Sequence, residues 1–299
     1  MKLELQPLSP LFGARAHGVD LAQPLGDALF AELERAFYDH QVLALPAQQL
    51  TPAQFAAWAR RIGPPQPHVI DQFHHPEDSN ILVLSNVKVN GEPTGLQDAG
   101  SYFHTDYSYL QVPARATTLY SRVVPRVGGD TLFANQIAAY DDLSDAMKRR
   151  IEPLLAIHHY GNRNDLDEKS RTVASVLSDE QKAKMPVITH RVARAHPRTG
   201  RKALYAVSGS SFGIVGMPDD EAHDLLDELA AHATQPKYRL SYRYGVGDVV
   251  IWDNAALLHS ATLIDPADAR TLWRITVLES AADAAAPDVL AASLAGARS

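Results

Sequence analysis

The stretch GDVVIWDNAALLHSA, residues 247–261, joins a strongly apolar run to polar side chains that could carry chemistry. Its first half is β-branched and aromatic, a composition that predicts a buried strand. The strand ends at Asp253 and Asn254, and His259 follows five residues later. The pattern therefore sets a carboxylate, an amide and an imidazole beyond the end of one buried strand.

Segments of similar composition recur along the second two-thirds of the chain, several with period-two alternation and with Gly or Pro boundaries. They are TTLYSRVV, DTLFAN, KALYAVSG, YRLSYRYG, GDVVIWDN and RTLWRITVLES, which start at residues 117, 130, 202, 238, 247 and 270. This many strands predict a mainly β fold, either a barrel or a sandwich, with flanking helices.

Helical periodicity occurs in scattered segments that do not alternate regularly with the strands. Residues 27–40 place apolar side chains on one helical face, and Thr51 with Gln54 forms a capping box for a helix that ends near Gly63. Further helices are predicted from Leu143, from a second capping box at Ser178 and Gln181, and over residues 220–234.

Composition narrows the classes of function. With 45% hydrophobic and 21% charged residues, the 299-residue chain can bury a substantial core. A net charge of -7 argues against a nucleic-acid or anionic-membrane surface and favours a small-molecule partner. There is no cysteine, which excludes disulfides, zinc-thiolate sites, iron-sulfur clusters and thiol nucleophiles, so any metal must be held by His and carboxylates.

The chain shows no signal-peptide pattern and no apolar stretch of membrane-spanning length, so we expect a soluble, cytoplasmic protein. No linker forces a domain boundary, and we predict a single domain over residues 1–280. Residues 281–299 are rich in alanine and predict a frayed helix or a disordered tail.

The segment SYFHTDYSYL, residues 101–110, sets His104 and Asp106 two positions apart. On a strand or strand end, alternate side chains point to the same side, so both would project into one space. Alone, such a pair more often marks a solvated strand face than a metal site. With His259 as a third ligand, two imidazoles and one carboxylate form the facial triad of non-haem Fe(II) oxygenases, which leaves one face open for cosubstrate and dioxygen.

The last predicted strand carries an arginine in a position suited to burial. In RTLWRITVLES, Trp273, Ile275 and Val277 face one side, whereas Arg274 faces the other. A buried unpaired charge is costly, so Arg274 needs a partner. Because a planar guanidinium matches a carboxylate, an anionic cosubstrate would satisfy it.

The order and spacing of these motifs resemble those of the taurine dioxygenase and 2,4-dichlorophenoxyacetate dioxygenase family. The resemblance extends from about Pro7 to Ser280 and rests on His104-Thr-Asp106, GGDTLFAN at 128–135, WDN followed by His259, and Arg274 fifteen residues beyond that histidine, together with GVDL and HPRTGRKALY. The motifs are specific as a set and not one by one.

This resemblance implies a double-stranded β-helix, or jelly-roll, core and an enzyme that uses Fe(II), 2-oxoglutarate and dioxygen (O2). Such enzymes hydroxylate a substrate and release succinate and carbon dioxide, and they commonly form dimers or tetramers, so a homo-oligomer is expected. Carried over by position, the iron ligands are His104, Asp106 and His259; Arg274 and Thr131 bind the distal carboxylate of 2-oxoglutarate; and Arg270 matches a second arginine near that site. The aspartate ligand favours hydroxylation over halogenation.

The same resemblance implies a small, anionic organic substrate of the sulfonate, sulfate ester, aryloxy or amino acid type. His68 aligns with a histidine that contacts sulfonate in taurine dioxygenases, and Tyr160 with an aromatic wall of the pocket. Asp71 replaces the tyrosine that partners that histidine, and Phe212 is displaced by two positions from a pocket phenylalanine. These departures weigh against taurine itself.

Two other functions are consistent with parts of the sequence. GSSFG, residues 209–213, matches the Gly-x-Ser-x-Gly elbow of serine hydrolases, with Ser211 as the nucleophile and with Asp248 or Asp253 and His259 downstream. An elbow requires a helix after the serine, whereas FGIVGMP favours a loop. The second alternative is a jelly-roll metal-binding protein without turnover, which would lack a ligand or the cosubstrate arginine.

Overall fold

The structure, a computed structural model, describes residues 2–97, 100–159 and 187–280. Two sheets face each other across the core. In spatial order, the large sheet contains β1 (Glu4–Pro7), β2 (Ala14–His17), β3 (Val42–Leu45), β16 (Val249–Asp253), β8 (Ala114–Val123), β18 (Thr271–Leu278), β5 (Asp78–Ser85) and β4 (His74–His75). The facing sheet contains β15 (Arg239–Tyr242), β9 (Thr131–Asn135) and β17 (Leu257–Ala261).

The remaining described elements extend or cover these two sheets. The other strands are β11 (Ile188–Arg191), β10 (Leu155–His158) and β14 (Ser211–Ile214) in one sheet, β12 (Ala193–Ala195) with β13 (Lys202–Leu204), and β6 (Lys88–Val89) with β7 (Glu92–Pro93). The helices are α1 (Asp27–His40), α2 (Pro52–Ile62), α3 (Gln136–Asp141), α4 (Asp145–Ile151) and α5 (Asp219–Ala233), with 3₁₀ turns at Asp71–Phe73 and Pro236–Tyr238.

Strand β16, the first half of the stretch 247–261, lies between β3 and β8 in the middle of the large sheet. Val249 and Ile251 belong to an apolar cluster with the helices α1 and α2. Val250 and Trp252 belong to the cluster between the two sheets, which also contains Phe133 of β9. Because both faces of the strand are covered, an uninterrupted apolar run is suited to this position.

Helices cover the outer faces of both sheets. Phe55 and Trp58 of α2 pack on the large sheet, and the Thr51–Gln54 capping box forms as predicted. On the other side, Leu225 of α5 packs with Leu258 of β17 in a third apolar cluster. The predicted mainly β architecture with flanking helices is therefore confirmed.

Some local expectations differ from the structure or lie beyond it. KALYAVSG forms a strand only over Lys202–Leu204, because the chain turns at Ala206, where φ is 46°. The predicted capping box at Ser178 and Gln181 and the alanine-rich tail at 281–299 lie outside the described residues.

None of the helices in the described ranges combines the length and apolar character that a bilayer crossing requires. Cytoplasmic location, homo-oligomerisation and a single domain over 1–280 stay predictions.

Candidate metal centre

A single antiparallel backbone pair brings two histidines side by side. The N–H of His104 donates to the carbonyl of His259 at 2.9 Å, and the N–H of His259 donates to the carbonyl of His104 at 2.8 Å. Directly opposed residues of such a pair project their side chains to the same side. The two imidazole centroids are accordingly 4.2 Å apart, although residues 101–110 do not form a regular strand.

Asp106 lies in the turn that follows His104 and completes the group. One carboxylate oxygen is 3.6 Å from Nε2 of His104, and the other is 3.6 Å from Nε2 of His259. One ligand atom from each of the three residues lies within 4.8 Å of the other two. With Asp106 only 4% exposed, the three side chains form a buried site that could hold a metal ion.

The histidines present the form that binds metals. Nδ1 of His104 is 2.8 Å from the carbonyl of Tyr102, and because a carbonyl only accepts, Nδ1 carries a proton; in the neutral tautomer with this proton, Nε2 has the lone pair that a metal needs. Burial lowers the pKa of His259 well below its ordinary value, with His104 and Arg274 acting in the same direction and Asp106 opposing. His259 is therefore neutral at pH 7, as a ligand must be.

Two donors hold the carboxylate of Asp106. The Thr117 hydroxyl donates to Oδ2 at 2.5 Å, and Arg274 donates to Oδ1 at 2.7 Å. Thr117 in turn accepts a hydrogen bond from the Asn254 amide at 3.0 Å, which leaves its own proton for Asp106. Burial alone would raise the pKa of Asp106, but Arg274 and the two histidines hold it well below the ordinary value.

Four residues around this centre were not predicted as functional. Asn254 is the last residue of the WDN motif, so the sequence marked its position. Thr117 lies within β8 and belongs to no motif. Gly100 has a φ of 83°, and a Cβ at this position would lie 2.3 Å from Cε1 of His104. Gly209 has a φ of 81°, and a Cβ there would lie 2.8 Å from Cβ of His104. These two glycines therefore leave the space that the imidazole of His104 occupies.

A small cavity of about 30 Å³ adjoins the histidines, and its lining includes Thr131, Arg270 and Arg274. The two arginines occupy different surroundings. Arg274 contacts Asp106, and its guanidinium lies 5.7 Å from the Tyr107 ring. Arg270 instead interacts electrostatically with Tyr244, the hydrogen-bond partner of Thr131.

Of the predicted substrate residues, the structure brings His68 to the centre. Burial lowers its pKa to about 3, with Arg274 acting in the same direction and Asp106 in the opposite one, so its imidazole lies near both. Nδ1 of His68 accepts from the N–H of Ile70 at 3.1 Å, so the neutral ring carries its proton on Nε2.

Asp71 and Phe212, two other predicted substrate residues, have surroundings, within the described ranges, that do not include the three candidate ligands. Asp71 is exposed in a 3₁₀ turn. Phe212 lies on β14, and its ring packs edge-on against the His159 ring with the two centroids 5.7 Å apart. Tyr160 lies outside the described residues. Among the described residues, no hydrogen bond or ion pair links Asp71 to the three candidate ligands.

The serine-hydrolase alternative is not supported. Ser211 begins strand β14 instead of preceding a helix, so the strand-turn-helix geometry of a nucleophile elbow is missing at this position. Its hydroxyl donates to the carbonyl of Ala206. Gly209, the first glycine of the motif, packs against His104 instead.

Two imidazoles and one carboxylate that converge beside two facing sheets provide the donor set of a facial-triad metal centre. A family model described as taurine catabolism dioxygenase TauD, TfdA family, matches residues 4–276. The chain therefore belongs to the TauD/TfdA family, and it is an enzyme of the alpha-ketoglutarate-dependent (2-oxoglutarate-dependent) dioxygenase class.

Individual relatives agree with this assignment. The alpha-ketoglutarate-dependent 2,4-dichlorophenoxyacetate dioxygenase of Cupriavidus pinatubonensis is 33% identical, over 94% of this chain and 99% of the relative. The (S)-phenoxypropionate/alpha-ketoglutarate-dioxygenase of Sphingobium herbicidovorans is 34% identical, over 90% of this chain and 93% of the relative. The crystal structure of AAD-2 with Mn(II) and N-oxalylglycine is similar, with a TM-score of 0.78 and 28% identity over 94% of this chain and 98% of that one. The predicted jelly-roll core is thereby confirmed.

Proposed function

We propose that this enzyme uses Fe(II), 2-oxoglutarate and O2 to hydroxylate a small anionic organic substrate, with succinate and carbon dioxide as co-products. The observation that carries the proposal is the convergence of His104, Asp106 and His259 in one buried site. A carboxylate with two neutral imidazoles is a donor set that Fe(II) oxygenases use.

The residues present fit such an ion. The neutral His104 tautomer with its proton on Nδ1, beside the Tyr102 carbonyl, offers Nε2, and Asp106 is ionised and held by Thr117. When bound, Fe(II) would supply the coordination of the cosubstrate and the reduction of dioxygen. The chain's part is to hold three ligands on one face and to leave the remaining positions open. The AAD-2 complex is consistent with this, because Mn(II) is a divalent ion and N-oxalylglycine differs from 2-oxoglutarate only in an NH that replaces a methylene.

For the cosubstrate, we assign the distal carboxylate to Arg270 with Thr131. Thr131 and Tyr244 share a hydrogen bond, and Arg270 acts on Tyr244, so the three groups lie together. Arg274 is occupied instead at Asp106. This assignment gives Arg270 the role that the resemblance implied for Arg274.

For the substrate, we assign an anionic group to Arg274 and His68. Arg274 is a cation beside the metal ligands, and neutral His68 offers Nε2–H as a second donor in the same region. The Tyr107 ring lies beside both, 6.2 Å from the His68 ring and 5.7 Å from the Arg274 guanidinium, and provides an aromatic surface. An anion attached to an aromatic ring matches these groups, and two relatives are named for aryloxy acids. We therefore place aryloxyalkanoates ahead of sulfonates, sulfate esters and amino acids.

The chemistry gives such substrates a simple readout. Hydroxylation of the carbon that bears the aryloxy oxygen forms a hemiacetal or hemiketal, which collapses by breaking its C–O bond. The aryloxy group leaves as a phenol and takes up the hydroxyl proton, while the former substrate carbon becomes a carbonyl. Each turnover therefore yields one phenol and one succinate.

The test is to incubate the protein with Fe(II), 2-oxoglutarate, air and one candidate acid at a time, and to measure phenol and succinate together. The proposal predicts equal amounts of both with an aryloxyalkanoate, and neither product from the Asp106→Ala variant. Phenol release that needs no 2-oxoglutarate, or that persists in Asp106→Ala, would contradict it. Succinate formation stimulated only by an alkyl sulfate or sulfonate would overturn the aryloxy assignment and keep the reaction class.

A further inference from the structure

A tyrosine that no sequence motif marks lies beside the proposed carboxylate site. Tyr244 follows strand β15, whose Tyr242 pairs with Thr131 of β9. Tyr244 is two residues beyond Tyr242, and its hydroxyl is 2.9 Å from the Thr131 hydroxyl. Both side chains are buried, at 7% and 3% exposure. The contact therefore joins two hydroxyl groups in the interior of the sandwich.

The Thr131 and Tyr244 hydroxyls together have one more hydrogen-bond donor than the bond between them uses. Two hydroxyl groups carry two protons, and a bond between them uses only one. Whichever hydroxyl donates to the other, one O–H remains to be offered to an acceptor. Thr131 lines the cavity next to the candidate metal ligands. When the Tyr244 hydroxyl donates to Thr131, the Thr131 proton is the one that an acceptor in this cavity can receive.

The surroundings favour a negatively charged acceptor. Burial raises the pKa of Tyr244, although Thr131 and Arg270 act in the opposite direction, so the phenol keeps its proton at pH 7. Arg270 adds a permanent positive charge and lines the same cavity. A protonated phenol, an alcohol and a guanidinium together form a receptor for a carboxylate.

We propose that Tyr244 determines cosubstrate specificity: through its hydrogen bond with Thr131 it completes the receptor that distinguishes 2-oxoglutarate, a diacid, from 2-oxo monoacids. This inference rests on the proposed function, because it requires the distal carboxylate to lie at Thr131 and Arg270. It adds a discriminating residue that neither the motifs nor the two arginines supply.

The experiment compares two cosubstrates on one variant. Fe(II)-loaded protein is titrated under anaerobic conditions with 2-oxoglutarate and with 2-oxovalerate, which has the same carbon chain but no distal carboxylate, and binding is followed by the visible charge-transfer band. Tyr244→Phe removes only the hydroxyl. We expect about a five- to tenfold loss of affinity for 2-oxoglutarate, since the Thr131 hydroxyl loses the donor that directs its proton toward the carboxylate, and no change for 2-oxovalerate.

The chain offers a matched control in Tyr242→Phe. Tyr242 is also a buried tyrosine of the same segment, but its hydroxyl donates to Asp248 at 2.7 Å and not to Thr131. This variant can lose stability, but its ratio of the two affinities should equal that of the wild type. An equal loss for both cosubstrates in Tyr244→Phe would show a structural role and overturn the inference.

A second variant keeps the inference testable if Tyr244→Phe folds poorly. Thr131→Val removes the partner hydroxyl with little change of shape, and because the two hydroxyls act as a unit, the double variant should lose about as much affinity as the worse single variant. Additive losses, or an unchanged affinity of Tyr244→Phe for 2-oxoglutarate, would overturn the inference. Failure of the wild type to bind 2-oxoglutarate would instead refute the proposed function, so the two failures are distinguishable.

Discussion

The molecule contains two buried pairs of histidines that look alike and that differ in what lies between them. His104 and His259 have ring centroids 4.2 Å apart, and His158 and His190 have centroids 5.2 Å apart. Burial lowers the pKa of His259, His158 and His190 in the same way. The first pair has Asp106 between its Nε2 atoms, whereas the neighbour of the second is the Tyr205 ring.

The difference teaches that a carboxylate, and not a buried histidine pair, distinguishes the candidate metal centre. Arg194 lies near His158 and His190 and lowers the pKa of both, so a cation there would meet repulsion. In the part of the chain that the structure describes, His104, Asp106 and His259 form the one group of three or more His, Asp or Glu side chains with converging ligand atoms. We therefore treat the second pair as part of the packed core.

The largest expected effect comes from removing the carboxylate that separates the two pairs. Asp106→Ala leaves two imidazoles without a negative ligand, and we expect metal affinity to fall by more than about 100-fold. Calorimetric titration of Fe(II) or Co(II) under anaerobic conditions measures it. His190→Gln is the control, and it should keep the affinity of the wild type. A larger loss of metal affinity in His190→Gln than in Asp106→Ala would place the metal at the second histidine pair and contradict this prediction.

The next effect concerns the support of that carboxylate. Thr117→Val removes the hydroxyl that donates to Asp106, and we expect metal affinity to fall by about 10- to 100-fold, as for other outer-shell partners. Thr118→Val is a matched control, because Thr118 is the next residue of β8 and its hydroxyl instead accepts from the Trp58 indole at 3.4 Å. Equal metal affinities in the two variants would show that Thr117 does not position Asp106.

A pH-dependent effect tests the second pair. Burial, with Arg194, lowers the pKa of His190 from 6.5 to about 3. Between pH 6.5 and pH 3, the imidazole of His190 is protonated in the unfolded chain but not in the folded protein, so the free energy of unfolding decreases as the pH falls. Because glutamine does not titrate, His190→Gln should make this decrease in the free energy of unfolding smaller by about 1.4 kcal/mol per pH unit. Urea unfolding of metal-free protein at several pH values measures it, and identical slopes in both proteins would refute the assignment.

The smallest effect is expected for His158→Leu. Both ring nitrogens of His158 are buried and lack a hydrogen-bond partner among residues 2–97, 100–159 and 187–280. Replacing an unpartnered buried polar ring by an apolar side chain should change stability by less than about 1 kcal/mol and leave metal affinity unaltered. The same substitution at His259 should abolish metal binding. A loss of metal binding in His158→Leu would place the second pair within the functional site.

The sequence pointed to the three candidate ligands because each lies in a short contiguous motif, but it did not predict what surrounds them. Thr117 and Gly209 reach Asp106 and His104 from other parts of the chain, and only the folded topology brings them there, whereas Gly100 precedes His104 by four residues. The sequence argument placed His104 and Asp106 on a strand or strand end, yet His104 needs only one backbone pair with His259 to orient its side chain.

The pocket was harder to predict for a related reason. Asp71 and Phe212 were assigned by position in connecting segments, where length and conformation vary and alignment is weak. The two arginines were recognised, but motif spacing does not show which of them faces Thr131. We base the proposed assignment of Arg270 on its interaction with Tyr244, a residue without any motif.

The measurement that tests the central claim most directly is an anaerobic titration of 2-oxoglutarate into Fe(II)-loaded protein, followed by the addition of an aryloxyalkanoate. We predict a weak visible charge-transfer band that saturates at one 2-oxoglutarate per chain and shifts when the substrate binds. Asp106→Ala should show no band. The absence of a band in correctly folded, iron-loaded wild-type protein would contradict the assignment of His104, Asp106 and His259 as the centre of a 2-oxoglutarate-dependent dioxygenase.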